Sequence, residues 1–295
     1  MFRAIFGLFL LWFAAGGDPP QKARLETTDK GQGKLSLSAA SMDSRSNPEG
    51  PEFDTEAETR LLEIANRDRA AAGLSMLEIH KGLTEAARQH AMAMAEAHEL
   101  SHQLPGEAVL SNRVASATNL RLDEVGENVA LDSTVVSAQK HLMQSPPHRR
   151  NLLDGNFNVA GFAVVRTGGQ LWVVQDFAHR LDAMSLHQTE ALVADAVNQW
   201  RSQRGLHALT AVATPEIRDA ACGLAQANTL KTKTIKNLSQ RQSILTYTQS
   251  KPETLPDDAE RILGGRQLKR ASIGVCFARN AAYPSGVYWV ALGFD

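Results

Sequence analysis

Residues 159–177, VAGFAVVRTGGQLWVVQDF, contain two apolar runs separated by a short polar turn. The runs at 159–166 and 171–177 are rich in valine, phenylalanine and tryptophan, which favour strands. Between them, Thr167-Gly168-Gly169 supplies residues typical of a hairpin turn. The segment therefore predicts two antiparallel strands, and the preceding chain can be organised around them.

Three helices are predicted before this hairpin. The first begins near Thr55 and ends at Gly73, which can adopt the left-handed conformation common at helix C-termini. The third covers residues 135–144 and is expected to stop at Pro146-Pro147. The second has an apolar stripe at helical spacing, formed by Leu83, Ala86, Ala87, His90, Ala91 and Met94. His90 is expected to be a hydrogen-bonded core residue rather than a ligand.

The N-terminus has the pattern of an export signal. Arg3 precedes an apolar run at residues 5–13, small residues follow it, and the run is too short to span a bilayer. We expect residues 1–17 to be a signal peptide, with an uncleaved anchor as the alternative. Residues 18–54 have few large apolar side chains and are expected to be a flexible linker. The protein is then secreted, periplasmic or held in the cell envelope, without a transmembrane span in the mature chain.

Charge and cysteine content limit the classes of function. The chain has 31 basic and 32 acidic residues, a net charge of −1, which gives no electrostatic basis for binding nucleic acid. Cys222 and Cys276 are its two cysteines. Export permits a disulfide between them without requiring one, and unpaired thiols are the expected state, with a bridge as the alternative.

The C-terminal part of the chain repeats the order of the first part. Similar residues recur at a constant offset of 132 positions near the start and 117 positions near the end. This order predicts a duplicated fold, with an unrelated α/β domain as the alternative. Residues 179–188 would connect the copies. The matched pairs include Asn66 with Asn198, Leu77 with Leu209, and Trp172 with Trp289.

Three polar clusters lie between the second helix and the hairpin. They are Ser101-His102, Gly126-Glu127-Asn128 and residues 145–153, SPPHRRNLL, which include His148. Histidine is a frequent metal ligand and acid–base group, and a neighbouring carboxylate can orient its ring. The spacings of 25 and 21 residues match no local metal motif, so solvated or capping loop residues remain the simpler interpretation. His98 could share a helical face with His102.

In this order, together with Asn66, Arg69 and the hairpin, the clusters resemble bacterial members of the CAP superfamily, also called SCP-like. That superfamily includes cysteine-rich secretory proteins, insect venom antigen 5 and plant pathogenesis-related proteins. The resemblance implies a three-layer α/β/α sandwich for residues 55–182. Residues 190–295 would be a second, degenerate copy, because they keep the apolar framework but have no Gly-Glu-Asn motif.

The resemblance also implies a site. His102, Glu127 and His148 would line a surface cleft as its catalytic or binding residues, and His102 and His148 would hold zinc or another divalent cation. Two histidines leave such a site incomplete, so water or a carboxylate would complete it. Two departures from the family pattern are visible: residues 139–144 contain no acid, and Pro147 replaces a usual glycine. No other cofactor is implied.

Three functions are compatible with these observations. The first is a non-catalytic extracellular module that binds a metal, a lipid, a peptide or an envelope partner through the cleft. The second is a hydrolase in which Glu127 and the histidines activate water on a peptide or wall polymer. The third is a structural protein whose second copy docks another envelope component. The fold alone does not decide among them, and whether the protein is an enzyme stays open.

Overall fold

The computed structural model describes residues 50–232 and 243–295. The predicted signal peptide, residues 1–17, and the predicted linker as far as residue 49 lie outside these residues. The elements of the first half are β1 Glu52–Phe53, α1 Thr55–Ala71, β2 Glu78–Ile79, α2 Lys81–Ala97, α3 Leu110–Ala117, β3 Leu122–Asp132, α4 Val135–Gln144, α5 Pro146–Leu152, β4 Val159–Thr167 and β5 Gln170–Arg180.

The predicted hairpin, β4 and β5, lies in the middle of a five-stranded sheet. Strand order is β1-β4-β5-β3, and β2 pairs parallel with β4. The other pairs are antiparallel, so β3 and β4 flank β5 along most of its length. Each of the remaining strands therefore pairs with a strand of the hairpin: β1 and β2 with β4, and β3 with β5.

Helices cover both faces of this sheet, which gives the three-layer α/β/α arrangement. On one face, Ala91 and Met94 of α2 pack against Trp172 of β5. On the other, Leu61 of α1 lies in one core with Phe177 and with residues of α4 and α5. Each strand of the hairpin is therefore buried on both sides, which explains its nearly continuous apolar sequence.

Local details differ from the sequence predictions in four places. Glu127 lies in strand β3 rather than in a loop, and α3 was not predicted at all. Pro146 and Pro147 occupy the first turn of α5, where a missing N–H has no partner to lose, so they begin a helix as well as follow one. Residues 52–53 pair with β4, so the predicted linker extends too far.

The described residues 186–232 and 243–295 contain a second, four-stranded sheet, whose pairing matches that of β2, β4, β5 and β3 in the first. The elements are α6 Leu186–Ser202, β6 Thr210–Val212, α7 Pro215–Gln226, β7 Ser243–Gln249, α8 Glu260–Leu263, β8 Arg270–Asn280 and β9 Tyr283–Phe294. Strand order is β6-β8-β9-β7, in which β6 pairs parallel with β8 and the other pairs are antiparallel. The connection from the first half is shorter than predicted, since β5 ends at Arg180 and α6 begins at Leu186.

Two hydrogen-bonding patterns recur in both halves. The Asn66 side chain accepts from the Leu77 N–H at 2.8 Å, and Asn198 accepts from the Leu209 N–H at the same distance. Likewise, buried arginines of α1 and α6 donate to backbone carbonyls beyond their helices. These contacts hold α1 and α6 each to the chain that follows it in its own half. That the two halves arose by duplication stays a prediction. The arginines are Arg69 and Arg201.

A disulfide joins Cys222 of α7 to Cys276 of β8, with Cα atoms 5.1 Å apart. The expectation of unpaired thiols was therefore wrong. The physical reason is the close approach of α7 to the sheet at Gly274, where an added Cβ would lie 2.1 Å from the Ile217 carbonyl oxygen. Such proximity brings the helix and strand within disulfide reach, which spacing along the chain does not reveal.

The halves contact each other through arginines. Arg279 of β8 donates to the carbonyls of Thr118 and Leu120 at 2.9 and 2.7 Å. The Arg121 guanidinium lies 4.6 Å from the centre of the Tyr288 ring, within the range of a cation–π contact. In the part of the chain that the structure describes, no helix is long and apolar enough to cross a membrane.

Candidate functional site

The centre of the candidate site is a histidine–carboxylate pair. His102 lies in the loop after α2, and its Nδ1 is 2.9 Å from Oε1 of Glu127 on β3. Since a carboxylate can only accept, Nδ1 carries the hydrogen in this contact, and in the neutral tautomer that makes it, Nε2 has the lone pair. The His102 side chain is 58% exposed whereas that of Glu127 is 3% exposed. The pair therefore presents a basic ring nitrogen at the surface and anchors it on a buried anion.

Arg113 of α3 forms a buried ion pair with Glu127. Its guanidinium forms a buried ion pair with Oε2 of Glu127, lies 3.2 Å from Oε2 of Glu107, and donates to the His102 carbonyl at 3.1 Å. A charge that is buried and paired in this way fixes its partner's orientation. Arg113 thus fixes the carboxylate and the loop that carries the exposed imidazole.

His90 anchors the same loop from the protein core. Its ring is fully buried, with Nε2 2.9 Å from the Ser101 carbonyl and Nδ1 2.8 Å from Oε1 of Glu107. Nε2 also lies 3.8 Å from Oε2 of Glu127. His90 is a hydrogen-bonded core residue, as its place on the apolar stripe predicts, and it positions the residue before His102.

His148 of α5 completes the group. The centres of its ring and the His102 ring are 6.1 Å apart. Burial, and then the nearby His102, lower the pKa of His148 below its usual value of 6.5, so the neutral ring is favoured. Its carbonyl accepts from the Asn128 amide at 3.0 Å, and Asn128 in turn contacts Gln175 at 3.1 Å. These buried amides hold α5 against β3.

One further carboxyl group lies beneath the site. Asp176 of β5 is fully buried and stands opposite Glu127 in the β3–β5 pairing. Burial, followed by the charge of Glu127, raises the pKa of Asp176 well above 3.8. An acid inside the mainly apolar run LWVVQDF was visible in the sequence, although its register with Glu127 was not.

The structure brings together all three residues expected from the sequence, His102, Glu127 and His148, and their role stays a prediction. His98 is not among them: it ends α2 in a left-handed conformation and is exposed. Sequence reasoning missed Arg113 and Glu107. Neither belongs to a motif, and only the packing of α3 and its preceding loop brings Arg113 to Glu127 and Glu107 to Arg113.

The donor chemistry fits a divalent cation in part. His102 has its Nδ1 hydrogen on a carboxylate, the arrangement that orients many metal-binding histidines. His148 favours its neutral, ligating form. In residues 50–232 and 243–295, however, no group of three or more histidine, cysteine, aspartate or glutamate side chains could hold a metal ion. The two imidazoles would form an open site, with its other positions left to water or ligand.

Comparison with known proteins gives a family match within the first half of the chain. The model of the family described as "CAP: Cysteine-rich secretory protein family" matches residues 62–177. The uncharacterized protein YkwD of Bacillus subtilis is 29% identical over 119 residues, which are 40% of this chain and 46% of YkwD. The match thus spans less than half of that relative's length.

Two solved structures of other proteins align with part of this chain. An outer surface protein from Borrelia burgdorferi aligns over 44% of this chain and 98% of its own, with 20% identity and a TM-score of 0.41. An extracellular SCP-domain protein from Bacillus anthracis aligns over 43% of this chain and 41% of its own, with 23% identity and a TM-score of 0.39. In agreement with the order of the motifs, residues 62–177 of this chain match the CAP family.

Proposed function

We propose that this protein is an exported module of the cell envelope or extracellular space that binds a ligand in the cleft at His102, Glu127 and His148. Its match to a family described as secretory supports that location, as does the export pattern of residues 1–17. The ligand would be a lipid, a peptide or another envelope component, and it would contact the exposed imidazole of His102.

The pair formed by His102 and Glu127 carries this proposal. Burying the glutamate would be costly without its ion pair to Arg113, and removing either partner of such a pair typically costs about 3–5 kcal/mol. Surface residues without a role are seldom oriented by a buried ion pair. The arrangement uses a buried charge to orient one exposed imidazole, which is what a binding or acid–base group requires.

A divalent cation would be held by His102 and His148. Bound there, it would polarise an oxygen atom of the ligand. Glu127 would keep the His102 ring in the tautomer with Nε2 free, and Arg113 would hold the Glu127 carboxylate in place. The half-buried surroundings of His148 favour a neutral ring near neutral pH, which a ligating histidine requires.

Calorimetric titration of the full chain with Zn²⁺ tests the proposal. We expect saturable binding by the wild type and at least a roughly ten-fold loss of affinity in H102A and in H148A. His141 offers a matched control, because its Nδ1 lies 2.7 Å from Asp132 and its side chain is 63% exposed. H141A should bind like the wild type. Absence of binding by the wild type, or an equal loss in H141A, would contradict the metal part of the proposal.

A metal-assisted hydrolase is the second candidate. The observation that favours it is the oriented, unblocked Nε2 of His102, which suits a general base acting on water. Turnover of peptide or wall-polymer substrates that requires His102 and Glu127 would support hydrolysis. Saturable ligand binding without turnover would support the binding module.

For the second half, we propose a degenerate copy that serves as a scaffold or docks a partner. The recurring Asn198 and Arg201 contacts support a common framework. Ile217 of α7 approaches Gly274 as Leu83 of α2 approaches Gly161, so Leu224 stands at the position equivalent to His90, and it is a buried apolar residue. An experimental structure that gave residues 186–295 a different strand order would contradict this proposal.

A further inference from the structure

Asp176 is a buried carboxyl group that the proposed binding function does not use. It lies within β5, and its side chain is inaccessible to solvent. Among the described residues, neither of its carboxylate oxygens meets a hydrogen-bond donor. An ionised carboxylate left in this state would be very costly, so the group needs either a cation or a proton.

Its nearest partner is another carboxyl group. Asp176 pairs with Glu127 across the β3–β5 ladder. Side chains directly opposite each other in an antiparallel pair have Cβ atoms roughly 5 Å apart, so the two carboxyl groups can meet. Contact between them raises the pKa of Asp176, after the larger effect of burial. Two adjacent carboxyl groups in a buried place share one proton rather than ionise together.

The surroundings decide which group holds that proton. Glu127 accepts from His102 and pairs with Arg113, so its oxygens already face a donor and a cation. Asp176 has no such donor among the described residues. The other charged groups near the pair are Glu107, which raises the pKa of Asp176, and Arg113, which lowers it. The buried ring of His90 lies on the Glu127 side, 3.8 Å from Oε2.

We propose that Asp176 is a positioning residue of the cleft: its protonated carboxyl group donates to Glu127 and holds that carboxylate where Oε1 accepts from His102. The proton also satisfies the buried oxygens that otherwise have no donor. Three donors then surround the Glu127 carboxylate, from Arg113, His102 and Asp176, and they leave it little freedom to rotate. The inference rests on the His102–Glu127 pair of the proposed function, but it does not require a metal.

Two spectroscopic measurements on the full chain test this inference. The first is the infrared carbonyl band of a protonated carboxylic acid near neutral pH, taken as the difference between wild type and D176N. The second is the tautomer of the neutral His102 ring, read from its ¹⁵N shifts in wild type, D176N and D176L. His141, which has its own carboxylate partner, is the internal control and should not change in any variant.

We expect the band in the wild type and not in D176N. The amide that D176N introduces can still donate to Glu127, so this variant should keep the Nδ1–H tautomer of His102. D176L removes the donor, and the Nδ1–H population should fall by roughly half or more, toward the Nε2–H form. If D176L fails to fold, the infrared acid band and the His102 tautomer of wild type and D176N test the inference.

Three results would overturn the inference: no acid band that D176N removes, a tautomer change in D176N as large as in D176L, or no change in D176L. None of these measurements involves zinc. A wild type that binds no Zn²⁺ would therefore refute the metal part of the proposed function while leaving the Asp176 readouts intact.

Discussion

Replacing Arg113 by methionine tests whether the site depends on its buried ion pair. The Arg113 side chain is 6% exposed and that of Glu127 3%, so the substitution leaves a nearly water-free carboxylate without its cation. Removing one partner of a buried pair costs about 3–5 kcal/mol. His102 and Asp176 still border Glu127, so we expect the lower part of that range, about 3 kcal/mol.

The assay is urea unfolding of R113M and wild type, followed by circular dichroism. The matched control is R166M, because Arg166 pairs with Asp54 at 2.5 Å but is 45% exposed. An exposed pair contributes at most about 1 kcal/mol. A loss in R113M no larger than in R166M would refute the view that Glu127 is held as a buried, paired anion.

Three further predictions concern the framework and its pH dependence. Replacing Cys222 and Cys276 by alanine should lower the free energy of unfolding by about 4 kcal/mol, since the bridge closes a separation of 54 residues. A decrease of less than about 1 kcal/mol, measured by urea unfolding, would contradict this. G161A and G274A should each lower the free energy of unfolding by about 3 kcal/mol or more in the same assay, because an added Cβ would lie 2.0 and 2.1 Å from backbone atoms of the facing helix. Variants as stable as the wild type would show that the helices can move away. The raised pKa of Asp176 means that the folded chain holds a proton that the unfolded chain releases above pH 3.8. Wild-type stability relative to D176N should therefore fall as pH rises from there toward the folded pKa, by up to about 1.4 kcal/mol per pH unit, and parallel pH profiles would contradict a neutral Asp176.

The sequence predicted those features that arise from local geometry. The stripe on α2 and the two runs of the hairpin follow the periods of a helix and a strand, and the structure has α2 at Lys81–Ala97 and the hairpin strands at Val159–Thr167 and Gln170–Arg180. The ordered motifs also indicated the CAP fold. Strand β3 was not predicted, because Gly126-Glu127-Asn128 interrupts its apolar pattern with polar residues that belong to the site.

What the sequence by itself determined was therefore the periodic elements, such as α2 and the hairpin, and the ordered motifs that match the CAP family. It also proposed the three site residues His102, Glu127 and His148. Tertiary structure alone decided that Arg113 and Asp176 meet Glu127, and that Cys222 bonds to Cys276. The physical reason is range. Periodicity reports how a side chain relates to its own helix or strand, whereas an ion pair, a shared proton or a disulfide depends on how distant segments pack in three dimensions.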